Sequence, residues 1–156
     1  NGTDGTSGCT LAEIYDATPA AEITDQRPRL QNLSVQSKTS AGDPVIVGFA
    51  LGGTKPPRIL VRAVGPSLGV FGVPGTLSDP QLALLGGSTV LAENDNWDGN
   101  PALREAFTQV GAFQLASNPS KDAALIGTLA PGTYTVHVRG VGTSEGTVLV
   151  EIYELP

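Results

Sequence analysis

No apolar run in this chain is long. Stretches such as PVIVGFAL, RILVRAV, QLALL, TVLAEN and TYTVHVRG are each cut off by glycine or proline. Runs of this length, with Gly 20 and Pro 12 falling between them, are how an all-β chain is punctuated. No stretch approaches the roughly 18 apolar residues of a membrane-spanning helix. Hydrophobic residues make up 40% and charged residues 15% of the 156 positions, which excludes disorder and coiled coil and leaves enough chain to bury a core. A net charge of −6 argues against nucleic acid as a partner.

Read in order, the chain begins with NGTDGTSG, which has linker composition. A strand is expected over 10–15, then a proline-containing connection, and then a strand in RLQNLSVQS. PVIVGFAL is apolar on both faces and is expected to be a buried strand. RILVRAV places Ile59, Val61 and Ala63 on one face and Arg58, Leu60 and Arg62 on the other. A long Gly/Pro loop follows, GPSLGVFGVPGTLSDP. QLALL and TVLAEN read as a hairpin around Gly86-Gly87. NPALREAFTQV is the one credible helix, with Asn100 as its cap and Pro101 at its first position. Three strands close the chain, over 123–129, 133–139 and 147–153. Without a βαβ rhythm, the expectation is all-β: an antiparallel β-sandwich, jelly-roll-like, with one short helix. An immunoglobulin-like sandwich is the runner-up. The division expected is 1–19 as linker and candidate donor strand, and 20–156 as a single sandwich domain.

RILVRAVGPSLGVFGVPGTLSDPQLALL, AENDNW, GAFQL, SKDAALIGTLAPGTYTVHVRGVG and GTVLVEIYEL together resemble a β-rich module of large secreted proteins of environmental bacteria. That module is often found in tandem or near a C-terminus. The likeness covers roughly residues 30–156. The second half is also similar to bacterial pre-peptidase C-terminal domains, through DPQLALL, TVLAENDNW and LAPGTYTVHVRG. Both resemblances imply a β-sandwich outside the cell in a structural, adhesive or substrate-binding role. Neither implies catalysis. Neither explains the N-terminal strand, unless that strand ends a preceding repeat.

The chain contains no methionine, so an export signal removed from a precursor, and an extracellular or cell-surface location, are expected. The single Cys9 excludes an internal disulfide. GPSLG, residues 65–69, fits the G-x-S-x-G pattern of a nucleophile elbow, but that elbow needs a helix directly after the serine, and LGVFGVPG does not suit one. Ser67 is therefore read as a turn residue. His137 alternates with Thr135 and Arg139 and is read as a surface side chain. No catalytic residue and no enzyme are expected.

Asn94, Asn96 and Asp98, followed by Gly99, imitate the start of a calcium loop, with Glu105 at the twelfth position. Pro101 and the helix start spoil that loop, and Asx residues build turns and caps without any metal. Calcium is the one cofactor this chain suggests. Lys55, Arg58 and Arg62 form a basic stretch whose commoner meaning is a solvated face. Lys121-Asp122 beside a strand has no evident crosslinking partner. Seven of the eight aromatics sit among apolar neighbours, which weakens a carbohydrate-binding reading. Trp97 suits a half-buried site.

One repetition remains. Leu11, Glu13, Ile14 and Tyr15 recur as Leu149, Glu151, Ile152 and Tyr153. Thr10, Ala12 and Ile14 correspond to Val148, Val150 and Ile152, which are expected to face the core. A strand after a flexible leader can complete a neighbour's sheet. The sequence therefore suggests an extracellular structural subunit that assembles with itself into a filament or array by adding its N-terminal strand to a neighbouring subunit, with Thr10, Leu11, Ala12, Glu13, Ile14 and Tyr15 as the assembly strand and Val148, Val150 and Ile152 marking its candidate pairing strand. The alternative is a non-catalytic binding or adhesion module of a larger secreted protein, with carbohydrate as its ligand.

Overall fold

The structure is a computed structural model, and it describes residues 11–19, 22, 30–116 and 120–156. It divides into two units, Asn1–Leu30 and Gln31–Pro156. The sequence places its boundary after residue 19.

The second unit holds eight strands: β1 (Asn32–Thr39), β2 (Val45–Leu51), β3 (Arg58–Val64), β4 (Pro80–Gly86), β5 (Thr89–Asn94), β6 (Ala123–Thr128), β7 (Gly132–Gly140) and β8 (Gly146–Glu154). One helix, α1 (Pro101–Gln109), lies between β5 and β6. The strands form two four-stranded sheets, ordered β1-β8-β3-β6 and β2-β7-β4-β5, with every pairing antiparallel. Only β4 and β5 are joined as a hairpin. The other six connections carry the chain from one sheet to the other, as in an eight-stranded jelly roll. The all-β sandwich with one short helix expected from the sequence is the fold.

Between the sheets lies a core of Val47, Ile59, Val61, Ala63, Leu82, Leu84, Val136, Val138, Val148, Val150 and Ile152. The strand period of two puts alternate residues there. Val148, Val150 and Ile152 are buried, as the alternation of the last strand requires. A second core lies on the other face of the first sheet. Leu60, Val64 and Ala124 meet Leu68, Trp97, Leu103, Phe107 and Leu115 there. The first sheet is thus covered on both faces. Asn100 caps α1 by accepting from the Ala102 N–H at 2.9 Å, and Pro101 opens the helix.

Three expectations are corrected. PVIVGFAL is not buried on both sides, because β2 lies at a sheet edge. Val47 faces the core while Ile46 is 57% exposed, so an apolar outer face here does not mean a covering layer. The loop after β3 contains a 3-10 helix over Pro66–Phe71, which the glycines did not suggest. Residues 11–15 are in no strand in the single chain, and Thr10 lies outside the described residues. An extended segment becomes a strand only when a ladder forms.

β8 is central to its sheet. β1 pairs along one edge and β3 along the other, so the strand marked by Val148, Val150 and Ile152 has no open edge. Its start is also fixed from outside the sheet. The Thr147 N–H donates to Gly75 O at 2.8 Å, and the Leu77 N–H donates to Thr147 O at 2.8 Å. A Cβ on Gly146 would lie 2.7 Å from Gly75 O and from Leu77 N, so this position requires glycine.

Candidate functional site

Three polar constellations among the described residues lie around the second core. The first is built on Asp122, which is fully buried just before β6. Its Oδ1 accepts from the backbone N–H of Gly65 at 2.8 Å and of Ser67 at 3.2 Å. Its Oδ2 accepts from the hydroxyls of Ser67 and Ser120. The Ser67 hydroxyl in turn accepts from the Ala116 N–H at 2.8 Å. A buried carboxylate survives only when its lone pairs are occupied, and here four donors surround it. GPSLG and SKDAA, far apart in sequence, are therefore two halves of one structural knot. A helical turn does follow Ser67, contrary to the sequence reading. Even so, the serine is buried, and its hydroxyl is engaged by Asp122 and the Ala116 N–H and is not presented to solvent.

The second constellation is built on Arg62, which sits on the outer face of β3 between Leu60 and Val64. It is 0% exposed, so the solvated basic face expected for Lys55, Arg58 and Arg62 is wrong at this residue. Its guanidinium lies between the rings of Phe107 and Phe113, 4.7 and 4.5 Å from their centroids. Nη1 donates to the Phe113 carbonyl at 2.6 Å. Nη2 faces Glu151 Oε2 at 2.9 Å across the β3–β8 register, as an ion pair without hydrogen-bond alignment. Burial lowers the Arg62 pKa, and Glu151 opposes that. The Tyr153 hydroxyl donates to Glu151 Oε1 at 2.7 Å. Burial first, and the bond to Glu151 second, push the Tyr153 hydroxyl up to about 12.

That shift sets an alkaline limit. A tyrosine in the unfolded chain ionises near pH 10, whereas folded Tyr153 keeps its proton to about pH 12. Between those values the folded state holds the extra proton, so stability falls as pH rises. The contribution is complete below about pH 10 and is lost through about pH 12. Urea denaturation from pH 9 to 12 is expected to show this decline, with Tyr153→Phe shallower than the parent; equal slopes would refute the assignment.

The third constellation opens to solvent. The loop ENDNWDGN runs beside β6 and lines an open cleft with Asn94, Asn96, Asp98 and Asn100, closed on the other side by Leu125 and Ile126. Asn94 is committed. Its Oδ1 accepts from the Ala124 N–H at 3.0 Å, and its Nδ2 donates to the Asn96 carbonyl at 2.9 Å. Together with the Trp97 N–H donating to Asp122 O at 2.9 Å, these bonds cover the outer edge of β6. Asp98 holds a left-handed φ of 53° and is exposed. Trp97 is buried rather than half-buried, and its Nε1 donates to the Ala116 carbonyl at 3.2 Å. Glu105 points along α1 and accepts from Gln109 Nε2 at 3.3 Å. Among the described residues, no group of three or more His, Cys, Asp or Glu side chains is placed to hold a metal ion.

The remaining candidates stand apart. His137 lies on β7, opposite Ile46 and Ala83, in the other sheet from Ser67's neighbours. Lys121 is exposed and pairs with Asp79. Phe71, expected among apolar neighbours, is 59% exposed and meets Phe113 edge to face at 4.8 Å.

No protein-family model and no curated protein matches the sequence. Several solved structures are similar, one of them the 1.0 Å crystal structure of the pre-peptidase C-terminal domain of a collagenase from Bacillus anthracis. The likeness has a TM-score of 0.48 and 12% sequence identity, covering 82% of this chain and 99% of that one.

Sequence reasoning missed Arg62 and Asp122. The signal for Arg62 was its place between Leu60 and Val64 on one strand face. Asp122 gave none, since Ser67 and Gly65, which it holds in place, lie 55 and 57 positions away.

Proposed function

We propose that this chain carries a non-catalytic binding or adhesion module of a larger secreted protein. The observation that carries the reading is the division of its polar groups. Ser67, Asp122, Arg62 and Glu151, which have the chemistry for catalysis, are buried and serve the second core. What faces solvent is a cleft of amides and one carboxylate at Asn96, Asp98 and Asn100. Such groups hydrogen-bond neutral, hydroxyl-rich ligands, and carbohydrate is the class they suit. The sequence resemblance to secreted β-rich modules supports an extracellular setting. Assembly by strand addition to β8 is the weaker reading, because β1 and β3 fill both of its edges.

Calorimetric titration with soluble oligosaccharides of plant, chitin and bacterial-wall type tests this. Binding is expected for one class and is expected to be lost in Asn96→Ala and Asp98→Ala, with the fold unchanged. If no class binds, or if both variants bind as the parent does, the cleft is not the site.

In the same loop, calcium is treated as dispensable, because Asn94 is engaged with Ala124 and Asn96 and Glu105 lies on the helix. EDTA is expected to move the Tm by no more than a degree or two; a ligand bound at about a hundred times its Kd would add about 2.7 kcal/mol. A large drop with EDTA, absent in Asp98→Ala, would establish the metal site.

A further inference from the structure

The repeated segment can now be laid on the structure residue by residue. Residues 8–16, GCTLAEIYD, align without gaps on Gly146–Glu154, GTVLVEIYE. Five of the nine positions are identical: Gly8, Leu11, Glu13, Ile14 and Tyr15 match Gly146, Leu149, Glu151, Ile152 and Tyr153. Asp16 matches Glu154 in charge. Each identity falls on a position that the β8 slot dictates. Gly146 stands where a Cβ would strike Gly75 and Leu77. Ile152 faces the sandwich core. Leu149 and Tyr153 pack on the second core, and Glu151 meets the buried Arg62.

The polar pair is reproduced as well. Tyr15 OH donates to Glu13 Oε1 at 2.8 Å, as Tyr153 OH donates to Glu151 Oε1 at 2.7 Å. In β8 that pair completes a buried guanidinium. In the N-terminal segment it is exposed, and Leu11, Ile14 and Tyr15 are 81%, 74% and 78% exposed. Three large apolar side chains in five residues, all in water, indicate a segment outside its proper packing partner.

We infer that residues 8–16 are the last strand of another copy of this domain, preceding the present one in the same polypeptide. They fill that copy's slot between its own β1 and β3 and present Glu13 to its counterpart of Arg62. The partner is thus a second domain of this fold, and the link is a strand shared in sequence rather than a surface contact. Main-chain ladders on both edges would hold it, with the alternating side chains fixing register. This does not rest on the carbohydrate reading, and the two experiments fail independently.

The test extends the full chain. Residues 31–145 are placed directly before Gly8, so that the upstream copy can obtain its last strand only from residues 8–16. Two folded copies are expected: a calorimetric unfolding enthalpy about twice that of the parent, and protease resistance throughout. Ile14→Asp is expected to unfold the upstream copy alone, halving the enthalpy and leaving the downstream copy protected. Thr10 and Ala12 are smaller inside than Val148 and Val150, so the Thr10→Val/Ala12→Val variant is examined in parallel. A chain carrying the β8 sequence at 8–16 is the positive control. The inference is overturned if the upstream copy stays unfolded in both the unsubstituted and the double-valine extension while the control folds. It is also overturned if Ile14→Asp leaves two folded copies, or if sedimentation shows a dimer, which would put the segment in another chain's copy.

Discussion

Val150→Asp is expected to leave no folded domain. Val150 is 1% exposed, on the central strand of its sheet, with Val35 beside it on β1 and Ala63 on β3. A carboxylate there has no cation or donor among the surrounding apolar side chains. An unpaired charge in such a place costs several kcal/mol, and the whole domain has only about 5–15 kcal/mol to lose. Circular dichroism and urea titration read the outcome: a coil spectrum without a cooperative transition. Val150→Ala, by contrast, is expected to cost on the order of 2 kcal/mol and to stay folded. A cooperative transition in the aspartate variant would show that β8 does not face the core.

Arg62→Ala is expected to destabilise by about 3–5 kcal/mol, because it leaves the Glu151 carboxylate buried without its cation. It also removes the plate between Phe107 and Phe113. Replacing both charges, as in Arg62→Met with Glu151→Leu, is expected to recover most of that loss, since an apolar pair of similar volume needs no desolvation. Chemical denaturation of the two single variants and the double variant gives the coupling directly. A loss below about 1 kcal/mol in Arg62→Ala would place the pair among weak surface bridges, in conflict with its burial.

The strands of this protein were legible because their alternation is local. The last three, the β4–β5 hairpin and the capped helix follow from neighbours within a few positions, and the sandwich follows from them. What stayed hidden depends on distance along the chain. β2 looks like an interior strand by composition, but edge position is set by which strands pair beside it. Arg62 looks like a surface cation until the 97–116 segment lays two phenylalanines over it. Asp122 looks like a residue beside a strand with no evident partner, whereas its carboxylate holds the start of the 3-10 helix after β3. Of the candidate site, the Asx loop was visible and its cap at Asn100 correct. That Asn94 would be spent on the edge of β6 was not visible, because the Ala124 N–H lies 30 positions away.

The place of β8 also governs when this domain can exist. The nine residues of the last strand enter between two strands made near the beginning of the fold, β1 and β3. A ribosome delivers the chain from the other end, at about 5–20 residues per second. Until Gly146–Glu154 clears the exit tunnel, the first sheet has a gap at its middle and both cores are open on one side. The nascent chain therefore cannot lock early, and contacts this distant in sequence close slowly. Folding becomes a terminal event for each domain, triggered by arrival of one strand.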